Sequence, residues 1–201
     1  MIYQLKISLL HCANPVWRRI LVEGSTTLHE VHYLIQNALG WTNSHPHEFY
    51  IDGELYSAPD PEYGDDMLDE NEYTLEAVCP DESSTMLYTY DFGDEWEHRI
   101  VVETIDEREA IDGLPYCSEG EGACPPEDCG GPLGYERILK ILANGQDPEY
   151  DTISEQLGEE FDPKYFDIKA ANNRITENIL KEPGLFDHDG QEENLDEEEE
   201  W

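Results

Sequence analysis

Cations are scarce in this sequence. Its 201 residues hold 11 Lys and Arg against 48 Asp and Glu, a formal net charge of -37. Such a field repels phosphate backbones, which excludes duplex DNA binding through a charged surface. Long apolar runs are missing too. No stretch approaches the ~20 apolar residues of a membrane span. The start, Met1 to Leu10, alternates around Lys6 rather than forming a secretory apolar segment. Cysteines are few and odd in number: Cys12, Cys79, Cys117, Cys124 and Cys129. Without a secretory signal, that predicts reduced thiols in a cytoplasm rather than a disulfide framework. No repeat of solenoid type occurs, and the βαβ rhythm of a parallel nucleotide-binding sheet is absent.

Apolar residues make up 38% and aromatics 10%, enough for a core. Residues 187–201 carry nine acidic and no basic side chains. Setting them aside leaves 39 acidic against 11 basic, or -28, so the folded part is itself acidic. An acidic surface keeps a chain hydrated and soluble. It also suits a docking face for a basic protein partner, or a mimic of nucleic acid.

Periodicity supplies the elements. Tyr3, Leu5, Ile7 and Leu9 alternate with polar residues and predict a half-buried strand; Asn14-Pro15 turns the chain into a second strand over Val16 to Val22. Thr27-Leu28-His29-Glu30 is a capping box. Behind it Leu28, Val31, Ile35, Ala38 and Leu39 share one helical face, and Gly40 stops the helix. His32 falls inside that stripe as a core histidine, while His29 lies on its wet flank. Asp52-Gly53 predicts a hairpin turn, and Ala58 to Glu72 an acidic loop. Met86, Tyr88 and Tyr90 form one strand; Trp96, His98, Ile100 and Val102 share one face of the next, across a turn at Phe92-Gly93-Asp94. Asp112 to Pro132 reads as an irregular loop and Tyr135 to Ala143 as a helix. Phe161-Asp162-Pro163 predicts another helix start, with Asp162 as cap and Phe161 stapled to Phe166. The expectation is one α+β domain over residues 1–182, an antiparallel meandering sheet with helices packed on one face, and an acidic disordered tail at 183–201.

Four constellations could carry chemistry. Asp91, Asp94 and His98 cluster around a tight turn, offering carboxylate bases and a tunable imidazole. They are the candidate catalytic set, against a plain turn with a core histidine. Cys117-x6-Cys124-x4-Cys129 offers soft ligands for zinc, with His98 or Cys79 as a fourth. The spacing lacks a paired Cys-x2-Cys knuckle, so loop thiols packed under Pro125 and Pro126 are the competing account. Gly130-Gly131-Pro132-Leu133-Gly134 opens a helix but lacks the Lys and Ser/Thr of a phosphate loop, and Glu127 and Asp128 oppose phosphate. His45 and His47, two apart on an extended chain and next to Glu48, could share a metal.

Several of these motifs occur together in one known family. They are Pro15-Val16-Trp17-Arg18-Arg19-Ile20, Thr27-Leu28 through Gly40-Trp41, His47-Glu48-Phe49, Tyr90-Asp91-Phe92-Gly93-Asp94, Trp96-Glu97-His98, and Cys124-Pro125-Pro126-Glu127-Asp128-Cys129-Gly130-Gly131-Pro132-Leu133-Gly134-Tyr135. From about Ile2 to Ile175 the chain resembles the plasmid pRiA-type open-reading-frame-three-like family, also described as a transposon passenger with a resolvase-like name. The resemblance implies a compact α+β domain and carries no established activity. Cys129 stands where that family has an aliphatic residue, which leaves Cys117, Cys124 and His98 as the metal candidates. The resolvase-like label finds no recombinase nucleophile motif here, and the charge opposes it.

The resulting expectation is a cytoplasmic accessory or interaction domain, non-enzymatic and linked to mobile elements, with a basic protein as partner. It excludes duplex DNA and membranes as partners. The alternative is a metal-dependent enzyme using Asp91, Asp94 and His98, with zinc as the candidate cofactor.

Overall fold

The computed structural model describes residues 1–59, 67–108, 113–158 and 161–181. The expected tail at 183–201 lies outside the described residues.

The alternations become strands as expected. Strands β1 (Ile2–Leu9) and β2 (Trp17–Glu23) pair antiparallel, with Leu5 opposite Ile20. Tyr3, Leu5, Ile7, Ile20 and Val22 are buried. Helix α1 (Leu28–Leu39) opens on the capping box: Thr27 Oγ1 accepts from Glu30 N, and Glu30 Oε2 accepts from Thr27 N at 2.7 Å. It stops at Gly40, whose φ of 98° suits glycine. Leu28, Val31, Leu34, Ile35, Ala38 and Leu39 go into the core, each large side chain contributing about 2 kcal/mol of burial.

Strand β3 (His47–Ile51) turns through Asp52-Gly53 into β4 (Glu54–Ser57). Then come β5 (Leu68–Asp69), the short α2 (Leu75–Val78), β6 (Thr85–Tyr90) and β7 (Trp96–Asp106). The inward set of Met86, Tyr88, Tyr90, Trp96, His98, Ile100 and Val102 is buried. Strand β8 (Tyr116–Glu121) and helices α3 (Gly131–Ala143), α4 (Tyr150–Leu157) and α5 (Ile168–Lys181) follow.

The eight strands of the described residues form one mixed sheet in the order β5-β4-β3-β6-β7-β1-β2-β8. Every pairing is antiparallel except β4 with β5. The α+β class stands, but the strand order departs from a simple meander. Strands β3 and β6, β7 and β1, and β2 and β8 are neighbours without being consecutive. Those joins rest on long-range packing, which local periodicity does not encode.

Two local expectations change. The supposed irregular loop contains β8, which adds to the edge of β2, with Ile20 opposite Cys117 and Leu21 opposite Tyr116. Its Gly and Glu residues hide it from an alternation test. The Phe161-Asp162-Pro163 helix does not form. Asp162 accepts from Lys164 N at 2.9 Å and makes a single turn, while Asp167 caps α5 by accepting from Lys169 N and Ala170 N. Phe166 packs under the Arg18 guanidinium, 3.9 Å from ring centroid to Cζ. That guanidinium is buried and donates to four backbone carbonyls, those of Trp17, Ala38, Glu121 and Gly122. It thereby joins β2 to the end of α1 and to the segment after β8.

Candidate functional site

Buried polar groups concentrate where α1 crosses β3 and β6. Helical spacing puts His29, His32 and Gln36 on adjoining turns facing these strands. The His32 ring stacks on His47 at 3.5 Å with planes 3° apart. Its Nε2 lies 2.8 Å from Asn43 Oδ1, a carbonyl that can only accept, and its Nδ1 lies 2.8 Å from Tyr88 Oη. Burial, followed by the neighbouring His47, pulls the His32 pKa down to about 3, so the ring is neutral. The proton therefore sits on Nε2, and Nδ1 accepts from the Tyr88 hydroxyl. Gln36 Nε2 donates to that hydroxyl at 3.0 Å, and Gln36 Oε1 accepts from Asn43 N. His32 is thus the expected core histidine, but with both ring nitrogens bonded rather than one.

Glu70 completes this network. Its side chain is fully buried. It accepts from His29 Nδ1 at 2.8 Å and from His47 Nε2 at 2.7 Å. Burial pushes its pKa up, but the hydrogen bonds from the two histidines outweigh that and hold it at about 2. His29 is therefore tied to a buried carboxylate, not left on a wet flank. The expected pairing of His45 with His47 fails as well. Strand β3 begins only at His47, whose ring turns inward to Glu70, while His45 stays in the preceding loop.

A second cluster lies where three loops meet beyond β6. Asp91 N donates to Pro46 O at 2.9 Å. Asp91 Oδ1 accepts from Gly93 N at 2.9 Å and Asp94 N at 3.3 Å, and Asp94 Oδ2 accepts from Gly130 N at 3.2 Å. Tyr90 Oη accepts from Ser44 N and donates to Glu127 Oε1 at 2.7 Å. Thr42 donates to Glu127 Oε2 from both its amide and its hydroxyl. Across this junction His45 Nε2 sits 3.2 Å from Asp128 Oδ1 and 3.7 Å from Asp91 Oδ2.

The glycine-rich segment permits the junction. A Cβ on Gly131 would fall 2.2 Å from Asp94 O, and one on Gly134 would fall 1.8 Å from Cys129 O. Only glycine allows these close approaches: Gly131 presses the 128–131 loop against the Asp91–Asp94 turn, and Gly134 lets the first turn of α3 close on the carbonyl of Cys129.

The sequence candidates separate accordingly. Asp91 and Asp94 share a turn. His98 is fully buried on β7, edge-on to Trp41, its Nδ1 3.3 Å from Tyr88 O. Burial pulls its pKa down to about 4. Cys117 is buried and donates to Glu119 O, and burial raises the thiols of Cys117 and Cys124. Burial also pushes Cys12, Cys79 and Cys129 up to about 11. Among the described residues, His45, Asp91 and Asp128 bring ligand atoms within 4.8 Å of one another; Cys117, Cys124 and His98 form no such trio. Sequence reasoning missed Asp128 and Glu70 as partners, since no local pattern places either beside a histidine.

Known proteins are similar to this chain over most of its length. The chain is 37% identical over 172 residues to the uncharacterized protein y4hQ of Sinorhizobium fredii, covering 85% of this chain and 86% of that protein. It is similar to the crystal structure of a protein of unknown function from Methanosarcina mazei Go1. There the identity is 35% and the TM-score 0.75, covering 84% of this chain and 96% of the other. Residues 1–170 match the plasmid pRiA4b ORF-3-like proteins, the resemblance that the Trp-Arg-Arg, Asp-Phe-Gly-Asp and Cys-Gly-Gly-Pro-Leu-Gly segments carried, and to that family this chain belongs.

Proposed function

We propose that this protein is a cytoplasmic accessory domain that docks a basic protein and catalyses no reaction of its own. The observation that carries this reading is the charge that folding leaves uncompensated: 48 acidic residues against 11 basic ones. The fold also turns part of its small cation supply inward. Arg18 bonds backbone carbonyls, and Arg174 donates to Asn37 O. Arg19 lies between Glu103 and Glu119.

The outer face of the sheet offers an apolar centre for contact. Tyr50 on β3 and Leu87 on β6 are cross-strand neighbours, and both are exposed. Glu48, Glu97 and Arg99 occupy the next outward positions. A basic partner with an apolar centre complements that arrangement. Free cysteines support a reducing compartment. Among the described residues no helix is long and apolar enough to cross a membrane. The plasmid in the family's description supports a mobile-element setting. A metal-dependent enzyme on Asp91, Asp94 and His98 has less support, because His98 is enclosed in the core.

The test is a fluorescence-anisotropy titration with a labelled Lys/Arg-rich peptide carrying one aromatic residue, run beside duplex DNA over a range of salt. The expected result is peptide binding that weakens with salt and falls at least fivefold in Leu87→Ser, with no submicromolar binding of DNA. Binding unaffected by Leu87→Ser, or submicromolar binding of DNA at low salt, refutes the reading.

A further inference from the structure

Among the described residues, three histidine–carboxylate contacts are ordinary hydrogen bonds. His11 to Glu97 spans 2.7 Å, His29 to Glu70 2.8 Å and His47 to Glu70 2.7 Å. His45 differs from all three. One nitrogen, Nε2, faces two carboxylates at once, at 3.2 Å from Asp128 and 3.7 Å from Asp91. The longer separation is beyond hydrogen-bond reach. A single ring nitrogen also carries at most one proton, so it cannot give a full, near-linear hydrogen bond to each oxygen.

These separations have another natural scale. A first-row divalent cation holds nitrogen and carboxylate oxygen at about 2.1 Å. Two ligands at that radius stand about 3.0 Å apart at an octahedral right angle and about 3.4 Å apart at the tetrahedral angle. The 3.2 Å pair falls between these values, and the 3.7 Å pair lies a few tenths of an ångström outside. His45 Nε2 thus stands at a ligand-to-ligand separation from Asp128 Oδ1 and a little beyond one from Asp91 Oδ2, and the three residues bring ligand atoms within 4.8 Å of one another.

The support around them uses other atoms. Asp91 spends Oδ1 on Gly93 N and Asp94 N, which leaves Oδ2 directed toward His45. Asp91 N holds the His45 loop through Pro46 O, and Asp94 Oδ2 holds the Asp128 loop through Gly130 N. Tyr90 links the same two loops through Ser44 N and Glu127 Oε1, and its ring meets His45 edge-on. Outer contacts of this kind orient ligands before an ion arrives. Asp91 is buried, His45 is partly exposed and Asp128 is open to solvent, so the site has an entry path.

We infer that His45, Asp91 and Asp128 form a binding site for a single divalent transition-metal ion, of the Zn2+ or Mn2+ class. One imidazole with two carboxylates suits these ions better than a thiol-preferring one. Three protein ligands leave at least one coordination position open to water or to an anionic group of a partner. The site lies apart from Cys117, Cys124 and His98, the metal candidates of the sequence.

Isothermal titration of untagged, chelator-stripped full-length protein with Zn2+ and with Mn2+ tests the inference. The expected isotherm shows one site of micromolar or tighter affinity above the weak, multi-site uptake of the acidic surface. His45→Ala and Asp128→Asn lower that affinity at least tenfold, with melting temperatures within about 2 °C of the parent. His11→Ala and the double variant Cys117→Ser/Cys124→Ser leave it unchanged. Co2+ substitution gives ligand-field bands without a thiolate charge-transfer band. Uptake without a stoichiometric site overturns the inference. So does binding that survives His45→Ala, or binding lost in the cysteine variant with a thiolate band in the cobalt spectrum.

Discussion

Replacing Glu70 by Gln removes a buried charge and leaves the side-chain size unchanged. Glu70 is fully buried and accepts hydrogen bonds from His29 and His47. Its pKa is held at about 2 in the folded chain against an ordinary 4.5. A carboxyl with a lowered folded pKa stabilises the fold above its unfolded pKa and loses that contribution as pH falls through its folded pKa. The difference corresponds to about 3 kcal/mol at pH 7, and about 1 kcal/mol of it survives at pH 3. Glutamine offers one acceptor where the carboxylate offers two. One histidine must then change tautomer to accept from the amide, and two charge-assisted bonds become neutral ones. Glu70→Gln should therefore lower stability by about 3 kcal/mol at pH 7, on the order of 6–12 °C in melting temperature for a domain of this size. Urea denaturation of parent and variant at pH 7, 5 and 3 is the assay. The gap between the two should hold from pH 7 to pH 5 and shrink between pH 5 and pH 3. A variant within about 1 kcal/mol of the parent at pH 7, or a gap that does not change with pH, would show that the His29–Glu70–His47 contacts do not lock β5 to α1 and β3.

Two further substitutions probe the core and the loop junction. His98→Ala removes a fully buried ring packed on Trp41 and Tyr88 and should cost about 1–3 kcal/mol at pH 7.5, with metal uptake unchanged. Burial holds His98 at about 4 against an ordinary 6.5, so its neutral form stabilises the fold above pH 6.5 and this contribution fades as pH falls toward 4. The deficit of His98→Ala should accordingly narrow by about 2 kcal/mol at pH 5, read by chemical denaturation; a constant deficit contradicts the burial argument. Gly134→Ala places a methyl 1.8 Å from Cys129 O, so the 128–131 loop must move. It should lower the melting temperature by at least 5 °C, a loss of about 2 kcal/mol or more, and weaken Zn2+ binding; an unchanged melt would show that Gly134 is not pressed against the Cys129 carbonyl.

Much of the architecture follows from short-range patterns. Tyr3 to Leu9, Met86 to Tyr90 and Trp96 to Val102 alternate because one sheet face meets the core, and a period of two survives any choice of neighbours. Thr27 and Glu30 cap α1 through contacts three residues apart, and Gly40 ends it through its own backbone freedom. Composition likewise fixed the acidic character, which is a sum and needs no fold. The family was legible because its motifs are contiguous. Tertiary structure decided what joins distant segments. Strand β8 owes its place to a free edge on β2, so its own Gly and Glu residues carry little strand signal. Glu70 sits in a stretch that reads as an acidic loop, yet packing buries it between two histidines 41 and 23 positions away. His98 was legible as inward-facing from its alternation with Trp96 and Ile100, whereas its separation from the Asp91 turn was not. His45 meets Asp91 and Asp128 where three loops distant in sequence come together and Gly131 lets the 128–131 loop come up against Asp94 O. Contacts at such separations depend on the path of the whole chain, and no window of neighbouring residues contains that path.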